Sequence, residues 1–150
     1  MGKADYRLLI EDFCKQASIQ DIASILQGGA FQLYGNAAWL RYVEISDLCQ
    51  ITVDLGACTM EIPTSILVMM LESNCGGSSA YLPFLGLDRD KGHAMLMLHL
   101  PLSMLQREEN LLRLLEQQLA PVMDAWRELF ATLENGITQS ETSLLAKGFV

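Results

Sequence analysis

The chain has 150 residues, of which 10 are lysine or arginine and 18 are aspartate or glutamate, so its formal net charge is −8. This length fits one domain, and no stretch reaches the about 18 consecutive apolar residues that a membrane helix needs. The acidic excess argues against nucleic acid and anionic membranes as partners, because both are bound through lysine and arginine. A basic or amphipathic polypeptide is a more natural partner.

The first residues predict an amphipathic helix over 5–17. Apolar side chains recur there every three or four positions, at Tyr6, Leu9, Ile10, Phe13, Cys14 and Ala17. A weaker helical stretch over 19–26 ends at Gly28-Gly29. Because the start soon becomes charged and contains no apolar secretory segment, we expect a cytoplasmic protein.

Three short strands are predicted next, over 31–34, 38–45 and 48–55. Turns are expected at Gly35-Asn36 and Ser46-Asp47. The third strand has the clearest pattern, since apolar residues alternate with polar ones. Such alternation is typical of an antiparallel strand with one face on a core.

A second helix, over 63–74, begins at Pro63, a residue that suits the first turn of a helix. Its centre, 66–71, is apolar at every position, so the helix must be covered on more than one side. A sheet can cover one side, and a second copy of the chain is the simplest cover for the other. Each such side chain left in water would forgo about 1.5–3 kcal/mol.

The second half predicts a hairpin of strands over 81–87 and 93–100, followed by a long helix. Ser103 and Gln106 are typical of a capping box at the start of this helix, whereas Pro121 should bend or break it. Asn135-Gly136 is a plausible end, so we expect a single domain over 1–136 and a loose tail over 137–150. The order α-β-β-β-α-β-β-α predicts an α+β fold with a mostly antiparallel sheet packed by helices.

No catalytic or metal-binding constellation emerges, and we expect a protein that is not an enzyme and needs no cofactor. His93 and His99 share a strand face but lie roughly 20 Å apart, too far to share a metal, so we interpret them as surface histidines. The four cysteines, Cys14, Cys49, Cys58 and Cys75, form no CxxC pair and are interpreted as ordinary buried or half-buried thiols. Apolar material on the strand face of Met95 and Met97, with Trp39 and Tyr42, indicates a binding surface, unless the last helix covers it.

Several local motifs in this order are familiar. They are Leu8-Leu9-Ile10-Glu11-Asp12-Phe13, Met69-Met70-Leu71-Glu72-Ser73-Asn74, Phe84-Leu85-Gly86-Leu87-Asp88, and Leu98-His99-Leu100-Pro101-Leu102 ahead of a long helix with Trp126. With the size and acidity of the chain, they resemble the class I type III secretion chaperones, the Tir-chaperone (CesT-like) family, over about residues 5–133. Pro121 and the tail after Gly136 depart from the family pattern.

The resemblance implies a bacterial cytoplasmic homodimer, built around the second helix, that binds the N-terminal region of one or more secreted effectors in extended form without nucleotide. Strand addition and filling of apolar pockets would provide the contact, and the secretion ATPase or another apparatus component is a further expected partner. Candidate effector-binding residues are Phe13, Phe31, Leu33, Trp39, Tyr42, Met95 and Met97. Candidate dimer residues are Ile66, Met69, Met70 and Phe84.

Two other functions stay open. A regulatory module on the same scaffold would sequester a secretion regulator instead of a cargo. A small thiol enzyme would use Cys75 as the nucleophile with His93 or His99 as the base.

Overall fold

A computed structural model describes residues 2–57, 62–75, 82–105 and 110–132 of the chain. Within these ranges no helix is long and apolar enough to cross a membrane. The N-terminal part of the chain contains α1 (Lys3–Gln16), a short α2 (Ile22–Leu26), β1 (Phe31–Leu33), β2 (Asn36–Val43) and β3 (Leu48–Ala57). They are followed by α3 (Thr64–Cys75), β4 (Phe84–Asp88), β5 (His93–Pro101), α4 (Leu102–Leu105) and α5 (Leu111–Leu114). The last of these continues as one helical rod to residue 132, and we call 111–132 the C-terminal helix.

The five strands form one antiparallel sheet in the order β1-β2-β3-β5-β4. This confirms the predicted α+β class and the predicted succession of strands and major helices. Burial alternates along β5 at every position, as expected of a strand with a single face on the core. The sheet therefore fixes the positions of the helices and of the surfaces on its faces and edges.

α1 and the C-terminal helix pack on the same face of the sheet. Tyr6 of α1 stacks on Tyr42 of β2, and Phe13 contacts Phe31 of β1 edge-on. The C-terminal helix contacts α1 and buries five side chains in the same cluster, namely Leu111, Leu114, Leu115, Leu119 and Met123. Burial of each such side chain contributes about 1.5–3 kcal/mol, so this face is the core of the domain.

The turn between β1 and β2 consists of Tyr34-Gly35 instead of the predicted Gly35-Asn36. Both turn residues have positive φ, 49° and 82°, as a two-residue type I′ hairpin requires, and Leu33 pairs directly with Asn36. The shift by one position places Asn36 in β2. Its side-chain amide then donates to the backbone oxygen of Asp54 at 2.7 Å.

A single helix starting at Ser103 was predicted, but the structure contains two helical segments. α4 ends at Leu105, and a new helix begins after Asn110, whose side chain accepts a hydrogen bond from the Leu112 N–H at 2.9 Å. Asparagine is a favoured residue at this capping position. Gln106, the other half of the predicted capping box, lies outside the described residues.

Pro121 does not break the C-terminal helix, contrary to one predicted outcome. A π-helical turn over Leu115–Leu119 precedes it, and the α-helix runs on over 120–132. Proline has no N–H to donate and its ring crowds the carbonyl four residues earlier, whereas a π-turn widens the backbone and relieves both problems. The predicted helix end at Asn135-Gly136 and the tail over 137–150 lie outside the described residues.

Candidate functional site

The outer edge of β2 is open over most of its length. β1 pairs only with Asn36, Ala37 and Ala38, and among the described residues no strand lies beside 39–43 on that side. Antiparallel pairing alternates the direction of backbone groups. The backbone N–H and C=O groups of Asn36 and Ala38 point toward β1. Those of Leu40 and Tyr42 point in the same direction, where no strand pairs with them.

A groove of about 790 Å³ runs beside this open edge. It is bordered by the start of α1, the end of α2 and the second half of β2. The half-buried side chains of Leu26 and Tyr42 provide its apolar surface, whereas Tyr6 and Leu40 are only 5% and 1% exposed. The rings of Tyr6 and Tyr42 are stacked at 5.4 Å, so this surface is preformed. An open backbone edge beside an apolar groove is suited to an extended peptide, which pairs through its backbone and inserts alternate side chains.

Tyr42 is held in place by its own hydroxyl, which donates to the Asp47 carboxylate at 2.8 Å. This hydrogen bond, together with desolvation and the nearby carboxylates, raises the pKa of Tyr42. Burial raises the pKa of Tyr6 further above its usual value. Both rings therefore stay neutral at ordinary pH and form a fixed wall for the groove.

The candidate effector-binding residues separate into two groups. Phe13, Phe31 and Leu33 are only 1%, 7% and 5% exposed, because α1 lies across β1 and turns all three into the core. They have almost no surface for a partner, and this part of the prediction is corrected. Tyr42 lines the groove, whereas Trp39, Met95 and Met97 lie elsewhere on the sheet.

Trp39 and Met97 lie on the sheet face opposite α1. The register places Trp39, Thr52, Met97 and Phe84 in one row across four strands. These side chains are half-buried, as is Met95 in the next row. The C-terminal helix packs beside α1 on the other face, so it does not cover this row, and the alternative in which it hides the methionines is wrong.

The two histidines are half-buried instead of fully exposed. His93 Nδ1 lies 2.7 Å from the Asp54 carboxylate, which also accepts a hydrogen bond from Gly56 N–H at the bulge in β3. The His99 ring contacts Phe84 edge-on at 5.1 Å. His93 is thus held by Asp54, whereas the Nε2 atom of His99 is buried and has no hydrogen-bond partner among the described residues. Within the described ranges no cluster of three metal-binding side chains occurs.

The cysteines provide little support for thiol chemistry. Cys14 and Cys49 are fully buried, and burial raises the pKa of both thiols, that of Cys49 to about 12, so they stay protonated and unreactive. Cys75 is exposed at the end of α3, so its interpretation as a buried or half-buried thiol was wrong. Within the described part of the chain it makes no hydrogen bond with either histidine. Cys58 lies outside the described residues.

α3 has apolar side chains on both sides, as the uniform apolarity of 66–71 predicted. Ile66 and Met70 are 6% and 4% exposed and pack within the chain, so little of either is left for a second copy. The exposed side chains of this helix are Val68, Met69 and Leu71, at 46%, 45% and 66%. Among the candidate dimer residues, Met69 is therefore exposed and Phe84 is half-buried against His99. Val68 and Leu71 are exposed as well but were not among the candidates.

Asn74 joins two of the sequence motifs. Its side-chain amide donates to the Leu85 backbone oxygen at 2.9 Å and accepts from the Leu85 N–H at 2.7 Å. These bonds fix the end of α3 against β4, the last strand of the sheet. Asn74 therefore satisfies backbone groups at an edge that would otherwise be available to another strand.

Sequence reasoning missed the groove because it is formed by tertiary structure. The weak apolar stretch over 19–26 indicated some helix, but nothing in its pattern placed Leu26 and Gly28 beside Leu40. The usable signal was the brevity of the first strand, since a strand of three residues cannot pair with all of an eight-residue neighbour.

No family model and no curated protein sequence matches this chain. Solved structures do match it. A chain of the ExsC–ExsE complex covers 87% of this chain and 97% of its own length at 14% identity, with a TM-score of 0.66. A chain of the HopA1–SchA chaperone–effector complex covers 84% and 95% at 20% identity, with a TM-score of 0.56. This chain therefore has the same fold as the matched chain of each complex, over nearly the whole length of that matched chain.

Proposed function

We propose that this protein is a type III secretion chaperone that binds an extended segment of a secreted protein along the open edge of β2. The observation that carries the proposal is the row of outward-facing backbone groups at Leu40 and Tyr42 beside an apolar groove. The shared fold with a chain of a chaperone–effector complex supports it. Such a protein acts by holding its partner and needs no reaction centre.

The two ends of the sheet differ in a way that favours this assignment. The edge at β4 has its Leu85 backbone groups satisfied by Asn74, whereas the edge at β2 is left open over 39–43. Proteins ordinarily protect long edge strands because they attract other strands. An unprotected edge with a groove beside it is what strand addition requires.

The apolar surface of α3 supports a homodimer as the second part of the proposal. Val68 and Leu71 lie on one side of the helix, opposite the buried Ile66 and Met70, and Leu87 of the neighbouring β4 is 49% exposed. A second copy of the chain would remove these side chains from water, with a gain of about 25 cal/mol for each Å² of apolar surface.

Strand addition is tested with a secreted partner recovered by co-expression and a synthetic peptide of its bound segment. N-methylation at positions whose N–H groups point toward β2 should abolish binding, because the N–H donors are lost. The matched control is the same peptide N-methylated at the intervening positions, which should still bind. Equal binding of both peptides would refute strand addition.

The cargo itself is tested by affinity capture from the host under secretion conditions. Recovery of exported proteins that lose solubility when this chain is deleted is the expected outcome. Recovery of a regulator with no exported protein would instead favour the regulatory module. Replacement of Cys75 by serine should leave binding unchanged under either function, and a loss of binding would reopen the thiol hypothesis.

The dimer is tested by light scattering of Leu71→Glu. Leu8→Glu on α1 is the matched control, because Leu8 is 64% exposed and Leu71 is 66% exposed. The α3 variant should have the scattering mass of one chain, while the control should keep the mass of two chains. A wild-type protein that is monomeric at micromolar concentration would refute the dimer.

A further inference from the structure

Two glycines turn the chain away from the edge of β2 just before β1 begins. α2 ends in a Schellman motif, in which the Gly28 N–H donates to the Ile25 carbonyl oxygen at 3.0 Å. The Gly29 N–H donates to the Ser24 carbonyl oxygen at 2.8 Å. Gly28 has a φ of 86°, a conformation that favours glycine. A Cβ atom on Gly29 would collide with the Ser24 hydroxyl and backbone oxygens, so this turn depends on both glycines.

The pairing of β1 with β2 defines which residues a longer β1 would cover. Phe31 pairs with Ala38, and antiparallel strands run in opposite directions at a constant register. In the same register residues 27–30 would lie opposite residues 39–42. These are the positions of β2 that have no strand beside them on that side. The open edge therefore exists because the chain turns away at the two glycines.

The groove separates the two segments that this register would join. Gln27 and Gly28 line it on the α2 side, and Arg41 and Tyr42 line it on the β2 side. The continued register would pair Gly28 with Arg41. It would likewise pair Gln27 with Tyr42. The residues on the two sides of the groove are thus the ones that a longer β1 would bring together.

Extension of β1 would exchange hydrogen bonds without a net loss. It would break those of three N–H groups, which residues 27–29 donate to carbonyl oxygens of α2. In return, Gly29 would form two hydrogen bonds with Leu40, and Gln27 would form two with Tyr42. The start of α2 would stay in place, because Ile25 is only 2% exposed.

We infer that residues 27–30 are a strap that closes the edge of β2 by extending β1, and that the turn at Gly28-Gly29 holds this strap open for a partner. The inference rests on the proposed strand addition and specifies its regulation. An exposed edge strand attracts other strands, and the strap covers it when no partner is bound. A partner then competes with the strap, and only the open fraction of the protein binds it.

Closure is tested by a disulfide between residues 28 and 41. Gly28→Cys and Arg41→Cys would meet as a non-hydrogen-bonded pair, in which the Cβ atoms come close enough for this bond. Cys58→Ser and Cys75→Ser remove competing thiols. The matched control combines Gly28→Cys with Val43→Cys, two residues out of register. On mild oxidation the 28–41 bond should form about tenfold faster than the 28–43 bond.

Hydrogen exchange shows whether the disulfide closes the edge. The Leu40 and Tyr42 N–H groups should exchange more slowly in the oxidised 28–41 variant and regain their rate on reduction, because closure gives both a hydrogen-bond partner. Equal rates of cross-linking at 41 and 43, or a disulfide that leaves exchange unchanged, would overturn the inference.

A second pair of variants tests the turn without a cross-link. Gly28 and Gly92 both have positive φ, 86° and 67°, and open space where a Cβ atom would lie. Valine disfavours this conformation and favours a strand. Gly28→Val should therefore slow exchange at Leu40 and Tyr42 by about tenfold, whereas Gly92→Val in the β4–β5 turn should not. Unchanged or faster exchange in Gly28→Val would overturn the inference.

A peptide titration separates the inference from the proposed function. The probe is a short peptide of alternating valine and threonine, added to the reduced and to the oxidised 28–41 variant. Binding that weakens by about tenfold or more on oxidation supports both. Closure with unchanged peptide affinity would leave the strap standing and overturn strand addition at β2. Failure to bind the reduced protein at millimolar concentration would also overturn strand addition. Peptide binding without any closure would overturn the strap alone.

Discussion

The contact between Asn74 and Leu85 provides a sharp test of how α3 is attached to the sheet. Asn74→Ala removes a donor and an acceptor that both bind the Leu85 backbone. Each neutral hydrogen bond contributes about 0.5–1.5 kcal/mol, and the Leu85 side chain is only 6% exposed, which limits access of replacement water. We expect the free energy of unfolding to fall by about 2 kcal/mol, which corresponds to about 4–8 °C in Tm for a domain of this size.

The assay is urea unfolding at one fixed chain concentration, since a dimer makes stability depend on concentration. Ser73→Ala is the control, because its hydroxyl bonds only within the helix, to the Met70 carbonyl oxygen at 2.8 Å. That variant should change the free energy of unfolding by less than about 0.5 kcal/mol. Equal stability of the two variants would show that Asn74 does not hold α3 to β4.

Three further predictions concern the core, the β1–β2 turn and alkaline pH. Phe13→Ala should destabilise the protein by about 3–5 kcal/mol and Trp39→Ala by much less in urea unfolding, because only Phe13 is fully buried; the reverse order would restore Phe13 as a surface residue. Arg127 donates to the backbone oxygen of Tyr34 at 3.1 Å, so Arg127→Ala should speed hydrogen exchange over 31–38, whereas Arg113→Ala should not. Burial raises the pKa of Cys49 from 9.0 to about 12, so the unfolded state loses this proton first and stability should fall by up to about 1.4 kcal/mol per pH unit between these values. Cys49→Ala should show a shallower decline from pH 9 upward in thermal melts, and an unchanged decline would exclude this thiol as a cause.

The sheet was predictable because its pattern is local. In β3 and β5 one face packs on the core, so apolar residues alternate in a way that is visible without any tertiary information. The apolarity of 66–71 likewise indicated a helix covered on two sides. Periodicity could not divide those residues between the chain's own core and an outer surface, and so Ile66 and Met70 were assigned to the wrong side of α3.

The candidate binding surface was less predictable because it depends on which elements lie next to each other. Phe13, Phe31 and Leu33 were read as surface residues, since nothing local indicates that α1 crosses β1. The effect of Pro121 was also beyond local reasoning. The loss of helix stability expected at a proline applies to a regular α-helix. The turn before Pro121 is instead a π-turn, over Leu115–Leu119.

The strand order places the two proposed interfaces at opposite ends of the sheet. β2, with its open edge and groove, is separated from β4 and α3 by β3 and β5. A second copy on α3 therefore leaves the groove uncovered, and a dimer offers two grooves that one long partner can occupy together. From this separation we expect monomeric Leu71→Glu to bind a short groove peptide with the wild-type Kd per chain. Its affinity for a long partner should fall by about 10²-fold or more, because the second contact is no longer tethered. Calorimetric titration with a short and a long segment of the same partner measures both values. A short peptide that binds the dimer and not the monomer would mean that the groove is completed by the second copy, and the separation of the two interfaces would be wrong.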